Sequence, residues 1–404
     1  MIVSDDADAL GLWLYAERYL GVGTRSYSSF SPDLEISDAY HPQRGQPTFV
    51  VPTFWVDRAH GEFLPGPVES GLVELYRRDD RFLLPVHPDT LADPDLAGAD
   101  RLRRCDPGPM LEVVPTANAR TVGVIAVDGR PVAPHFLKLH YPKRSSRFTR
   151  RLRRPIIGVQ LWVSGELVRV DAPFLPEVGG AVFGADPRLA WGYLLREPSA
   201  LGGRSLAHTV PLFALYGRDH RAPGDPTLLE QLIARGPVTA VEFLTDRIIR
   251  PMVRLWVTTA LSTGCSLEMH GQNTLFSWDS SGSRILYRDC GVYVDPRQRR
   301  EVGAPPGLPP INVISRDVLF PREQVFSLAY DSFMGHHVFD FLARLAADRF
   351  GLGEGSLREA ARAEFASVPG SAGLLPATVY YYDDKLHPDG GWQLVDTGEA
   401  PRWR

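Results

Sequence analysis

Cysteine is scarce in this 404-residue chain: Cys105, Cys265 and Cys290 are the full set, and no two have CxxC spacing. So small and odd a set builds neither a disulfide framework nor a zinc site, and it fits a reducing cytoplasm. A long apolar run is also missing. The longest, around Val253–Leu261, is too short to cross a bilayer and carries Arg254, so no membrane association is expected. The first residues, MIVSDDADALGLWLY, are acidic where a secretion signal needs basic ones, which predicts no signal peptide. Charge of one sign is not in excess. A formal net charge of −4 argues against a general nucleic-acid binder, although it leaves room for a local basic patch. Internal repeats and low-complexity segments are absent from the sequence.

What remains is an ordinary globular composition, 44% hydrophobic and 23% charged, long enough for two or three lobes around a large core. Residues 5–20 read as an amphipathic helix with an acidic first turn, and 66–79 as a second helix. Residues 29–52, rich in Pro, Ser and aromatics, read as loop with short extended pieces. From Glu112 the chain alternates β-branched residues. LEVVPTANARTVGVIAVDG predicts strand, turn, strand, and VAPHFLKLHY a further strand. IIGVQLWVSGELVRV either continues the strands or starts as a helix. DPTLLEQLIARG predicts a short helix. The stretch from Pro237 to Gly264 predicts a long one, kinked or broken at Pro251 and stopped at Gly264. Two strands, CSLEMHGQNTLFSWD and SRILYRDCGVYVD, then read as a hairpin turned at SSGS. Helices over 323–350 and 356–367 follow. The class is α+β, divided as 1–95, a β-rich 96–215 and a mixed 216–404.

The densest polar signal is Glu268-Met269-His270-Gly271-Gln272-Asn273, ionisable and amide groups inside what reads as a buried strand. Such burial is costly unless each group has a partner. A bulge at Gly271 would bring His270 and Asn273 to one side. A hydrogen-bonded structural cluster and a ligand site both stand. The second half of the hairpin supplies Arg288-Asp289. Asn273 and Asp289 across that hairpin could share one Mg²⁺ with waters and nucleotide oxygens, or Arg288 and Asp289 could be a plain ion pair. Pro115-Thr116-Ala117-Asn118-Ala119-Arg120-Thr121 reads as a tight polar turn whose N–H groups, hydroxyls and guanidinium suit phosphate oxygens. Lys138, in an apolar strand, either snorkels or points into a phosphate site. The run 143–154 is strongly basic: a solvated loop, or a site for a polyanion such as ATP or a polycarboxylate. His41 and His87 each precede a proline and read as loop-fixing residues.

Taken in order, these pieces resemble the NRPS-independent siderophore synthetases of the IucA/IucC type, over residues 40–300. Pro115, Thr116, Asn118, Arg120 and Thr121 match that family's PT-x-S-x-RT turn, with Asn118 in place of the serine. Lys138-Leu139 begins its KL segment, and Ser146 to Arg150 falls at its TS-x-x-R element, where the TS pair has become Ser146-Arg147. Glu268, His270, Gln272 and Asn273 match E-x-H-x-QN, and Arg288-Asp289 the RD element. An acid that many members carry after RD is replaced by Cys290-Gly291. Pro85 to Pro88 matches the start of PVHPWQ, and His41-Pro42 echoes a further HP motif.

The resemblance implies a cupped-hand fold with a helical thumb, here reduced and N-terminal, β-rich fingers and a mixed palm. It implies an ATP- and Mg²⁺-dependent ligase that adenylates a carboxylic acid, by default citrate or a related polycarboxylate. The acyl group then passes to an amine or alcohol in siderophore or other natural-product biosynthesis. Asn118, Arg120, Thr121, Lys138 and Gln272 would hold ATP. Asn273, Asp289 and Glu268 would hold Mg²⁺. Arg150 and His270 would contact the α-phosphate and the attacking carboxylate, with His270 also a candidate base. Its members are often homodimers. A kinase-like phosphotransferase, and a non-catalytic nucleotide-binding homologue, are the alternatives.

Overall fold

The structure, a computed structural model, describes residues 8–21, 34–145, 148–200, 206–314, 321–383 and 393–404. Its centre is an antiparallel sheet of seven strands: β1 (Phe49–Val51), β2 (Gly61–Pro65), β3 (Leu111–Pro115), β4 (Thr121–Val127), β5 (Arg130–Leu139), β6 (Glu177–Phe183) and β7 (Trp191–Arg196). They lie side by side in the order β1-β3-β4-β5-β7-β6-β2. The alternation that predicted β3, β4 and β5 is the physical reason for the sheet's two faces, since successive side chains of a strand point to opposite sides. Leu137 and Leu139 enter one core with Val113, Val122 and Val124. Phe136 and Lys138 therefore face the other way. Lys138 lies opposite Thr121 on β4 and Leu194 on β7, in register on both sides.

That second face is covered by helix α2 (Arg154–Arg169), which packs Ile157 against Val182 and Leu194. The segment left open between strand and helix is thus helix throughout, started by Pro155 in the first turn. The helix expected over 66–79 shrinks to Leu72–Tyr76, because Arg77-Arg78 already pairs with the strand Arg81–Pro85. β1 and β2 sit at the two edges of the same sheet as β3–β5.

Helix α1 (Ala9–Tyr19) is capped by the Asp8 carboxylate and buries Leu12, Trp13, Leu14 and Ala16. It packs along β8 (His208–Pro211), the first strand of a small antiparallel sheet ordered β8-β9-β10, where β9 is Thr274–Asp279 and β10 Gly282–Tyr287. The hairpin β9–β10 is the one the SSGS turn predicts. A helix over 240–263 backs it. It widens to π-helix at Thr245–Ile249, just before Pro251, which is how a proline without an N–H is carried inside a continuous rod. It ends at Gly264, whose φ of +74° is the left-handed cap that glycine adopts without strain. A second long helix, 322–350, and Glu354–Ser367 complete the core. Among the described residues no helix is long and apolar enough to cross a membrane, and all three cysteines are free thiols.

Candidate active site

The turn between β3 and β4 is built as the sequence suggests. Thr116 Oγ1 donates to the Thr121 carbonyl at 2.7 Å, and the Ala119 N–H to the Thr116 carbonyl at 3.0 Å. These bonds hold Ala119 at φ +55°, a conformation an alanine rarely takes. The turn sends the Arg120 side chain inward, where it is only 8% exposed. Its Nη1 donates to the Arg150 carbonyl at 3.0 Å, while its Nε is buried with no partner among the described residues. Burial, with Arg150 beside it, pulls Arg120 down to about 10. A buried guanidinium with an unspent N–H, next to a second arginine, is short of an anion.

Lys138 points from β5 into the same space. Its Nζ donates to Gln160 Oε1 on α2 at 2.8 Å and to both carboxylate oxygens of Asp289 at 2.7 Å. Burial lowers the Lys138 ammonium to about 8, against the pull of Asp289. Burial alone would raise the Asp289 carboxyl, but Lys138, Arg196 and Arg120 together hold it well below the usual carboxylate range. Asp289 has φ +78°, and Tyr287 pins the bend by donating its hydroxyl to the Asp289 carbonyl at 2.6 Å. Three distant stretches of chain, around residues 120, 138 and 289, therefore converge.

The segment 268–273 corrects the strand reading. Only Cys265–Ser266 is extended, and the chain then turns so that the Asn273 and Thr274 N–H groups both donate to the His270 carbonyl at 3.0 Å. Asn273 donates its amide to the Glu268 carbonyl at 3.2 Å, which leaves its oxygen as the acceptor end. Burial, then the charge of Asp289, raises the Glu268 carboxyl to about 7. Glu268, Asp289 and the Asn273 amide oxygen are hard oxygen donors, and Lys138 already holds both Asp289 oxygens. That donor set suits a hard divalent ion.

His270 is lowered to about 4, chiefly by burial. Its Nδ1 accepts the Gln272 N–H at 3.2 Å, so the neutral ring carries its proton on Nε2. In that tautomer Nδ1 is taken and Nε2 is the donor end of the ring. The Gln272 main-chain carbonyl accepts from Arg288 Nε at 2.8 Å.

The basic run is largely spent on structure. Lys143 pairs with Asp89 at 3.5 Å, Arg144 with Glu35 at 3.1 Å and Arg154 with Glu62 at 2.5 Å. Arg150 is the member whose charge acts on Arg120, Glu268 and His270. Ser146 and Arg147 lie outside the described residues. His87 caps a short helix through Nδ1, which accepts the Asp89 N–H at 3.1 Å, and His41 accepts the Gln43 N–H at 3.2 Å; both fix loops.

Three contributors escaped the sequence. Gln160 was hidden by the undecided reading of α2. Glu177 and Arg196 form a pair buried behind Asp289, 0% and 5% exposed at the side chain and 2.5 Å apart. Only their opposition on neighbouring strands β6 and β7, invisible without the register, brings them together.

No family model and no curated protein sequence matches the chain. Solved structures do. The petrobactin biosynthesis protein AsbB of Bacillus anthracis str. Sterne superposes with a TM-score of 0.68 at 14% identity, over 91% of this chain and 71% of that one. Aerobactin synthetase IucC of a hypervirulent Klebsiella pneumoniae gives 0.63 at 17% identity, over 92% and 73%. ATP-bound IucA of that pathotype gives 0.64 at 16% identity, over 95% and 77%. The chain has the α+β fold of these siderophore synthetases.

Proposed function

We propose that this chain is an ATP-dependent ligase that activates a carboxylic acid as its acyl-adenylate and passes the acyl group to an amine or a hydroxyl. The observation that carries the reading is the meeting of buried Lys138 and Arg120 and half-buried Arg150 with half-buried Asp289 and Glu268. The likeness of fold to ATP-bound IucA supports it.

A carboxylate is a poor acyl donor, because its leaving group would be oxide. In the first step one carboxylate oxygen forms a bond to the α-phosphorus, and the bond from that phosphorus to the β-bridging oxygen breaks. Pyrophosphate leaves with the electron pair. Two anions must approach, so the site's cations offset repulsion and stabilise charge in the transition state. Arg120 offers its unspent Nε–H to a phosphate oxygen, Lys138 an ammonium already oriented by Gln160, and Arg150 a second guanidinium. Asn118 and Thr121 flank the phosphates on the turn, and Gln272 lies beside His270. His270 donates its Nε2 proton as a hydrogen bond to a phosphoryl or carboxylate oxygen. Asp289, Asn273 and Glu268 would hold Mg²⁺, which when bound offsets triphosphate charge. In the second step a neutral amine or alcohol attacks the acyl carbon, the acyl C–O bond breaks so that AMP leaves with the electron pair, and the nucleophile's proton passes to water. That step chiefly requires positioning.

The test is a hydroxylamine-trapping screen over carboxylic acids, citrate and other polycarboxylates first, with pyrophosphate measured in parallel. Acid-dependent pyrophosphate and a hydroxamate are expected from one acid class. ATP binding with no pyrophosphate from any acid would sink the ligase reading and leave a nucleotide-binding homologue.

A further inference from the structure

The hairpin residue Arg288 does not face the site beside Asp289. It reaches back to α1. Arg288 makes three bonds. Its main-chain N–H donates to the Asn273 carbonyl at 2.9 Å, its Nε to the Gln272 carbonyl at 2.8 Å, and its Nη1 to Glu17 Oε1 at 2.5 Å. The first two bonds grip the end of the turn that presents His270, Gln272 and Asn273. The third fixes the guanidinium that makes the grip.

Glu17 is sealed in, with its side chain 0% exposed. The same Oε1 also accepts the Trp13 indole N–H at 3.2 Å, while Oε2 is buried with no partner among the described residues. A carboxylate held this dry is costly unless its cation stays in place, so the two charges fix each other's position.

The helix does not need this pair in order to dock. Arg18 donates to the carbonyls of Pro42, Pro47 and Gln46 at 2.7, 2.9 and 3.1 Å. Tyr15 donates to Asp219 at 2.7 Å, and Leu12 and Ala16 enter the main core. Anchoring and positioning are thus carried by different residues of one helix.

We infer that Glu17 is a positioning residue for the ligase site: through Arg288 it sets the turn that offers His270, Gln272 and Asn273 to the nucleotide. This rests on the ligase reading. A helix 271 residues away in sequence thereby sets the nucleotide site.

The test is calorimetric titration of the full chain with ATP in the presence of Mg²⁺, with thermal unfolding followed on the same samples. Glu17→Gln keeps shape and removes charge. It should stay cooperatively folded yet bind ATP about ten-fold more weakly or worse, a loss in line with what small misplacements of site groups cost. The double variant Glu17→Gln/Arg288→Lys should bind no more weakly than Arg288→Lys alone. Tyr15→Phe loosens the same helix elsewhere and should lower the melting temperature while leaving ATP affinity unchanged. Should Glu17→Gln fail to fold, Glu17→Asp is read by the same criteria. Wild-type affinity in the Glu17 variant, additive losses in the double, or an equal loss in Tyr15→Phe each overturns the inference. If the wild-type protein binds no ATP, the ligase reading falls and this inference with it.

Discussion

At the scale of single residues, the site is a charge-balance problem solved by burial. Lys138 and Asp289 satisfy each other at 2.7 Å, yet the buried Nε–H of Arg120 is left over. The cations exceed what Asp289 can neutralise, and in the proposed function a triphosphate would supply the difference. Lys138→Met and Arg120→Met should each lower acid-dependent pyrophosphate release by about 100-fold, the scale of losing one electrostatic stabiliser, with the fold retained by circular dichroism. Arg196 is different, because it touches Glu177 rather than solvent. Arg196→Met strands a fully buried carboxylate and should cost about 3–5 kcal/mol in urea denaturation.

Two histidines away from the site set a pH limit. Burial lowers His87 to about 4 and His140 to about 3, from an unfolded value near 6.5. Each accepts a main-chain N–H through Nδ1, His87 from Asp89 and His140 from Leu152. Between those folded values and 6.5 the unfolded chain binds more protons than the native one, so stability rises with pH across that window. Their contribution is complete above about 6.5 and is lost as pH falls towards 4 for His87 and towards 3 for His140. Urea midpoints should therefore drop between pH 6.5 and 4, with a shallower slope in His140→Asn.

At the scale of elements, the chain's turns and stops decide the geometry. Gly264 ends the long helix at φ +74°, and a Cβ there would meet the Asp295 carbonyl oxygen at 2.6 Å. Gly264→Ala should cost about 1–3 kcal/mol, read as a lower urea midpoint. Much of this level was legible in sequence. Alternation gave β3, β4 and β5, the PTANART turn and the SSGS hairpin, because these rest on local pattern. Elements whose identity depends on tertiary partners were not legible. Residues 268–273 carry strand-like spacing but turn, because the N–H groups of Asn273 and Thr274 find the His270 carbonyl. Leu72–Tyr76 stops early because Arg77-Arg78 is taken by a neighbouring strand. The Glu177–Arg196 and Glu17–Arg288 pairs had no local signal, since each joins residues that only the register or the docking of a helix brings together.

At the scale of the whole molecule, one face of a seven-stranded sheet, helix α2 and one hairpin bring the candidate site residues together. The fold shared with AsbB, IucC and IucA persists at 14–17% identity. Packing layers tolerate such divergence. The central claim is that the clustered cations bind ATP for attack at its α-phosphorus. The most direct measurement is ³¹P NMR of the protein with ATP, Mg²⁺, hydroxylamine and an acid selected by the trapping screen. AMP and pyrophosphate growing in step with the hydroxamate, and absent with Lys138→Met, is the expected result. Formation of ADP with a phosphorylated acid would contradict it, and would place the attack at the γ-phosphorus, as in a phosphotransferase.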